Sequence, residues 1–173
     1  RTSSSESDPR RKPETLRHSY PGTSATVSDD RRTNRFSPGG GYPRSMNVLV
    51  VGAGQMGRWL GATIDADVAF ADVDPEVARD AATTLDARAV ALDADGTFDA
   101  VCFAVPMPTV EEAIAEYANR GERAVFDVTG VMGPPVRAMR EHVPDRERAS
   151  LHPLFAPDAE PGTIAVVSDA PGP

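Results

Sequence analysis

From Met46 onward the sequence predicts an α/β fold, a doubly wound parallel sheet with helices on both faces, and three observations predict it. Short continuous apolar runs recur, as strands buried on both faces require. Between them lie segments with helix-start signals, and the alternation of the two is the signature of crossover connections. A glycine-rich turn joins the first run to the first helix, Val51-Gly52-Ala53-Gly54-Gln55-Met56-Gly57. No internal repeat interrupts the pattern.

Taken in order, Asn47–Val51 is the first strand and a helix starts near Gln55. Val68–Ala71 is the second strand. Asp74-Pro75-Glu76 then opens a helix that runs to about Leu85, with an aspartate cap, proline in the first turn and an early carboxylate. Ala89–Leu92 is a third strand and Ala100–Val105 a fourth. Thr109–Asn119 reads as a helix whose Glu111 and Glu112 favour the positive end of its dipole. Ala124–Val128 is a fifth strand, Pro134–His142 a helix, Ala149–Leu151 a short sixth strand and Ile164–Val167 a seventh.

Residues 1–45 read differently. They hold six apolar side chains, Leu16, Tyr20, Ala25, Val27, Phe36 and Tyr42, among many Ser, Thr, Pro and Arg. That is too little apolar surface to offset the entropy of ordering, so a disordered extension is expected, ending in the connector Ser37–Pro43. The expected domain is thus 46–173, with Met46 a candidate natural start. A basic tail that meets an acidic partner is the sharper alternative for 1–45.

Charge divides at the same place. The 173 residues carry a net −8, but residues 1–45 are +4 and the remainder, with nine arginines, no lysine and 21 acidic residues, is −12. An acidic, lysine-free domain argues against nucleic-acid phosphates as partners. It suits a protein kept soluble in concentrated salt, a halophile's, or else an ordinary acidic cytoplasmic protein. Cys102 is the only cysteine and lies in an apolar run, so a buried structural thiol is expected, with no disulfide. No membrane span or leader is evident, and the three histidines lack the spacing of a metal site, so a cytoplasmic location and no metal are expected.

The glycine turn fits G-x-G-x-x-G in its required context, after a buried strand and before a helix. Gly52 allows the tight turn, Gly54 lets backbone approach a pyrophosphate, and Gly57 lets the helix pack on the sheet. Gln55 and Met56 open that helix, whose free N–H groups and positive dipole end suit phosphates. Asp72, 20 residues after Gly52, ends the second strand, where a carboxylate accepts hydrogen bonds from ribose hydroxyls and repels an extra phosphate. A Rossmann-type dinucleotide site is therefore expected, with NAD favoured over NADP, although Arg58 or Arg79 would complicate that preference. Asp74 competes for the ribose role, but its place before Pro75 suggests capping. Val105 and Pro106 end the fourth strand, where apolar groups would meet the nicotinamide half or simply form a turn.

His152 follows the sixth strand in Ser150-Leu151-His152-Pro153-Leu154-Phe155. An imidazole there would handle the proton released when an alcohol loses hydride, though spacing alone leaves a structural histidine equally open. His142 and His18 read as incidental, and Trp59 as a core residue.

In sum of motifs the chain resembles the prephenate and arogenate dehydrogenases of tyrosine biosynthesis. Gly52–Gly57, Phe126-Asp127-Val128-Thr129-Gly130-Val131 and His152-Pro153-Leu154-Phe155 carry the resemblance in order, over about Met46 to Pro173. The resemblance implies that His152 hydrogen-bonds the ring hydroxyl of prephenate. Hydride loss from that carbon and departure of carbon dioxide would give 4-hydroxyphenylpyruvate and NADH. The family's Asp-x-x-Ser-Val-Lys has Gly130 at its serine and Met132 at its lysine here, leaving Thr129 as a displaced hydroxyl. The helical domain that builds the family's dimer and clamps the substrate carboxylates does not follow, so dinucleotide binding with weak or absent catalysis is expected, and a homodimer only where that domain is present. The rival readings are another dehydrogenase or reductase on the same fold and a nucleotide-sensing domain.

Overall fold

The computed structural model describes residues 45–156 and 162–170, which lie in the second of the chain's two units, Gly41–Pro173. The expectation of a disordered extension therefore falls, apart from Ser45, outside the described residues, as does Pro157 beyond the His152 segment. The elements are β1 (Asn47–Val51), α1 (Gln55–Thr63), β2 (Asp67–Ala71), α2 (Pro75–Thr84), β3 (Arg88–Ala89), β4 (Phe98–Phe103), α3 (Val110–Tyr117), β5 (Gly121–Asp127), α4 (Gly133–His142), β6 (Glu147–Pro153) and β7 (Ile164–Ala170).

They form one seven-stranded sheet in the order β3-β2-β1-β4-β5-β6-β7. The strands up to β6 are parallel. From β1 the chain first builds outward through β2 and β3, then returns to lay β4, β5 and β6 on the other side. That reversal between β1 and β4 opens a crevice beyond the strands' carboxyl ends.

Because side chains alternate along a strand, each buried strand feeds two cores. Leu49, Val101, Phe103 and Val125 meet Val110 and Ile114 of α3 and Met139 of α4 on one face. Val50, Phe70 and Cys102 meet Leu60 of α1 and Ala78 and Ala81 of α2 on the other. The alanines of α2 let that helix lie close to the sheet. Asp74 caps it, accepting a hydrogen bond from Glu76 N at 3.0 Å. The cap competes with any ribose role for this carboxylate, as its place before Pro75 suggested.

Four expectations need correction. The third strand is only Arg88–Ala89, not Ala89–Leu92: Val90 N still reaches Phe70 O at 2.9 Å, but the chain then turns through Ala91–Ala94. The fourth strand lies two residues earlier than expected, because Ala104 N is the last amide to bond β1, at Val51 O, before Pro106. Thr109 and Ala118–Asn119, read as the two ends of one helix with α3, belong instead to the 3₁₀ turns Met107–Thr109 and Ala118–Arg120. The largest change is at the sheet's edge. β7 is antiparallel, so the sheet is not wholly parallel, and its pairing extends β6 to Glu147–Pro153.

Candidate functional site

The crevice has a volume of about 930 Å³ and begins at the glycine turn. Gly52 has φ +98°, and a Cβ there would sit 2.5 Å from Ala104 O, so neither backbone nor space admits a side chain. A Cβ on Gly57 would meet Gly52 O at 2.0 Å, which presses the first turn of α1 directly onto the loop. Gly54 is different. Its φ is −71° and a Cβ would have nothing within 4 Å. The protein itself does not require glycine at this exposed position. Open space beside the N-terminus of α1, with its unpaired amides, fits an approaching pyrophosphate.

Asp72 ties the turn to β2. Its Oδ2 accepts from Ala53 N at 2.8 Å and its Oδ1 from Asp74 N at 3.0 Å. An ionised carboxylate has about four acceptor positions, so both oxygens retain capacity for ribose hydroxyls. The two arginines that would complicate the NAD preference are engaged. Arg58 donates to Ala53 O at 2.9 Å and Val77 O at 3.3 Å and pairs with Asp80 at 2.7 Å, while Arg79 pairs with Glu76.

Gln55 and Met56 line the crevice next to Gly54, and Val105 and Pro106 line it further along, with Val128 and Thr129 at its far end. Gly57 lies behind this wall. A second hollow of about 880 Å³ starts from the same Asp72 and reaches Arg79 and Tyr117.

The loop after β5 is held by an acid that the sequence reading had not singled out. Asp127 is fully buried, and its Oδ2 accepts from Thr129 N at 2.9 Å and Thr129 Oγ1 at 2.6 Å. Burial pushes its carboxyl above the usual range, while the neighbouring Ser150 and Thr129 groups pull it back down. Ser150, also fully buried, is its register partner on β6, yet Asp127 Oδ1 and Ser150 Oγ lack well-aligned partners among the described residues. The signal was available: a charged residue closing the apolar run Ala124-Val125-Phe126. The hydroxyl of Thr129, expected to face the reacting groups, donates inward instead.

His152 does not lie in a turn after the sixth strand. It is within β6, paired with Ala165 of β7, and half-buried. Its ring stands against Gly130, whose φ is +83° and whose Cβ would come 3.4 Å from His152 Cδ2 and Nε2. Gly130 adjoins Thr129 of the crevice lining, so the His152 ring lies beside the end of the crevice, one residue from its lining. Cys102 is fully buried in the central strand β4, and burial, with a contribution from Asp127, raises its thiol well above the ordinary value, as an inert thiol requires. Among the described residues no group of three or more His, Cys, Asp or Glu is placed to hold a metal ion, and no helix is long and apolar enough to cross a membrane.

Comparison with known proteins brings a family into view. The family model for the nucleotide-binding domain of prephenate dehydrogenase matches residues 59–167. That span omits the glycine turn and contains both Phe126–Val131 and His152–Phe155. No curated protein matches the sequence. Prephenate dehydrogenase from Aquifex aeolicus, solved with hydroxyphenyl propionate and NAD+, is 21% identical with a TM-score of 0.54, over 63% of this chain and 42% of that one. Synechocystis arogenate dehydrogenase is 19% identical with a TM-score of 0.53, over 66% and 43%. A pyrroline-5-carboxylate reductase from Coxiella burnetii is 14% identical with a TM-score of 0.58, over 73% and 50%. At these identities the likeness is one of fold, and the chain spans less than half the length of the two aromatic-pathway relatives.

Proposed function

This chain belongs to the family of prephenate dehydrogenase nucleotide-binding domains, and on that premise we propose that it binds NAD and serves the NAD-dependent oxidative decarboxylation of prephenate or arogenate. The observation that carries the proposal is one continuous crevice. It starts at Gly54 and Asp72 and ends at Thr129, one residue from the glycine against which His152 stands.

Gly54, Gln55, Met56 and the amides of α1 hold the pyrophosphate, with Gly52 and Gly57 shaping the turn beneath it. Asp72 takes the ribose hydroxyls and disfavours the additional phosphate of NADP. Val105 and Pro106 border the nicotinamide half. When bound, the dinucleotide supplies the hydride acceptor. His152 accepts a hydrogen bond from the substrate's ring hydroxyl and draws off its proton as the carbon is oxidised. Loss of carbon dioxide restores the aromatic ring, and the ring oxygen regains its proton. Thr129 keeps its acceptor lone pairs toward the crevice while its proton remains with Asp127. Residues 46–173 form the dinucleotide-binding domain and 1–45 an extension. A homodimer belongs to the protein that also carries the family's helical domain, in a cytoplasmic and, from the acidic composition, halophilic setting.

Calorimetric titration of NAD and NADP into the chain in high salt tests the proposal, alongside absorbance assays of NADH formation with prephenate and arogenate. NAD binding that Asp72→Ala weakens by tenfold or more, about 1.4 kcal/mol, is the expected result. A folded protein that binds neither dinucleotide overturns it. Tight binding without turnover is the result both the dehydrogenase and the nucleotide-sensing readings expect of this chain alone, and turnover once the family's helical domain is joined to it separates the two.

A further inference from the structure

Trp59 lies on α1, one helical turn beyond Gln55 and Met56 of the crevice wall. Its ring meets that of Phe155 edge-on, with centroids 5.2 Å apart and planes at 70°. The two residues are 96 positions apart in sequence, and Phe155 comes three residues after His152, where the chain leaves β6. The same stretch is closed from the hairpin side. Leu154 N donates to Thr163 O at 2.9 Å, and a Cβ on Gly162 would come 3.5 Å from Phe155 Cδ1.

Trp59, Met56 and Leu151 pack against one shared cluster of the α1 face. Trp59 Nε1 is buried and has no hydrogen-bond partner among the described residues. Burying an unpaired indole N–H is unfavourable, so apolar contact is what holds the ring there. His152 is differently situated. No hydrogen bond reaches its ring among the described residues, and Gly130 offers no side chain to grip it. The imidazole is therefore placed by the backbone at the end of β6.

We propose that Trp59 and Phe155 form a clasp that positions His152, fastening the exit of β6 to the helix whose N-terminus faces the crevice. The proposal rests on the reading of His152 as the proton-handling group, and deepens it. Trp59 and Phe155 line neither the crevice nor the Gly130 contact, so they are positioning residues. The clasp makes the glycine turn and the histidine parts of one mechanical unit.

The chain has one tryptophan and three histidines, so the clasp and the imidazole it positions report separately. In the full chain, Trp59→Leu and Phe155→Leu should each displace the His152 imidazole resonances in NMR, with assignment by His152→Asn. The double variant should displace them no further than either single one, because both remove the same contact. Trp59→Phe, which keeps an aromatic edge, should restore the wild-type signal. Phe155→Leu should also shift the Trp59 emission to the red. Unchanged His152 imidazole resonances in both leucine variants, or effects of the two that simply add, would overturn the clasp. If a leucine variant does not fold, Phe155→Met, which keeps volume without a ring edge, makes the same comparison. The readout needs no ligand. Failure of NAD to bind the wild-type chain would defeat the cofactor reading and leave the clasp to be judged on the imidazole alone.

Discussion

At the β1–α1 turn the backbone leaves almost no choice: Gly52 has no room for a Cβ against Ala104 O, and Gly57 none against Gly52 O. The β6–β7 hairpin closes the same end of the sheet, yet side chains hold it. Arg148 Nε donates to Asp169 Oδ2 at 2.8 Å, Arg140 Nε donates to Asp169 Oδ1 at 2.7 Å, and Phe155 leans on Trp59. A position where the backbone leaves no room for a Cβ tolerates no substitution and advertises itself in the sequence. One fixed by side-chain pairs tolerates partial loss and hides, because each partner is distant along the chain.

The largest effect should come from Gly52→Ala. A forced positive φ together with the Ala104 overlap should cost about 3–5 kcal/mol, read by urea denaturation or as loss of soluble protein. Near-wild-type stability would mean that the turn can relax. Gly54→Ala sharpens the contrast: stability should hold, or rise by about 0.4–1 kcal/mol, while dinucleotide affinity falls by tenfold or more, about 1.4 kcal/mol. If affinity survives, the empty space at Gly54 serves no ligand.

Next comes the hairpin. The two arginines hold the Asp169 carboxyl at about 2, below its ordinary 3.8, chiefly through the Arg140 and Arg148 hydrogen bonds. Its folded-state value is depressed, so its contribution is present above about pH 4 and fades as pH falls toward about 2. Asp169→Asn should lower Tm at neutral pH and remove that part of the acid-induced loss. An acid profile parallel to wild type would show that the pairs do not hold the edge.

The smallest effect should have the opposite sign. Burial raises the Asp127 carboxyl, so this acid favours the fold most at low pH, and its benefit declines as pH rises through its folded value. Asp127→Asn keeps an acceptor for Thr129 and gives Ser150 a donor. It should be neutral or stabilising at pH 7, by up to about 1 kcal/mol, with the difference shrinking in acid. Marked destabilisation at neutral pH would show that the charge itself is needed.

Legibility followed the same division. β1, the start of α1 and the Asp74 cap could be read because local rules fix them: an apolar run, a glycine turn, a capping aspartate before proline. β3 was misplaced because two residues of edge strand leave no periodicity. The direction of β7 was not legible, since an alternating strand reads the same in parallel and antiparallel pairing, and the length of β6 depends on that pairing. In the crevice, Gly54, Asp72 and Val105 announced themselves through position after a strand. The inward turn of the Thr129 hydroxyl did not, because its cause is a buried acid two residues earlier. The setting of His152 beside Gly130 depends on how two neighbouring strands end, which no local pattern records.

Cys102 turns the sheet into its own gauge. The only thiol of the chain is sealed in the middle strand, between β1 and β5, with no path for a reagent while those strands stay paired. Alkylation must wait for the sheet to open, so its rate counts the fraction of molecules open at any instant. Every 1.4 kcal/mol lost from the opening free energy should speed labelling about tenfold. Mass spectrometry of one modified cysteine would thus rank the variants above in any salt concentration, without melting the protein.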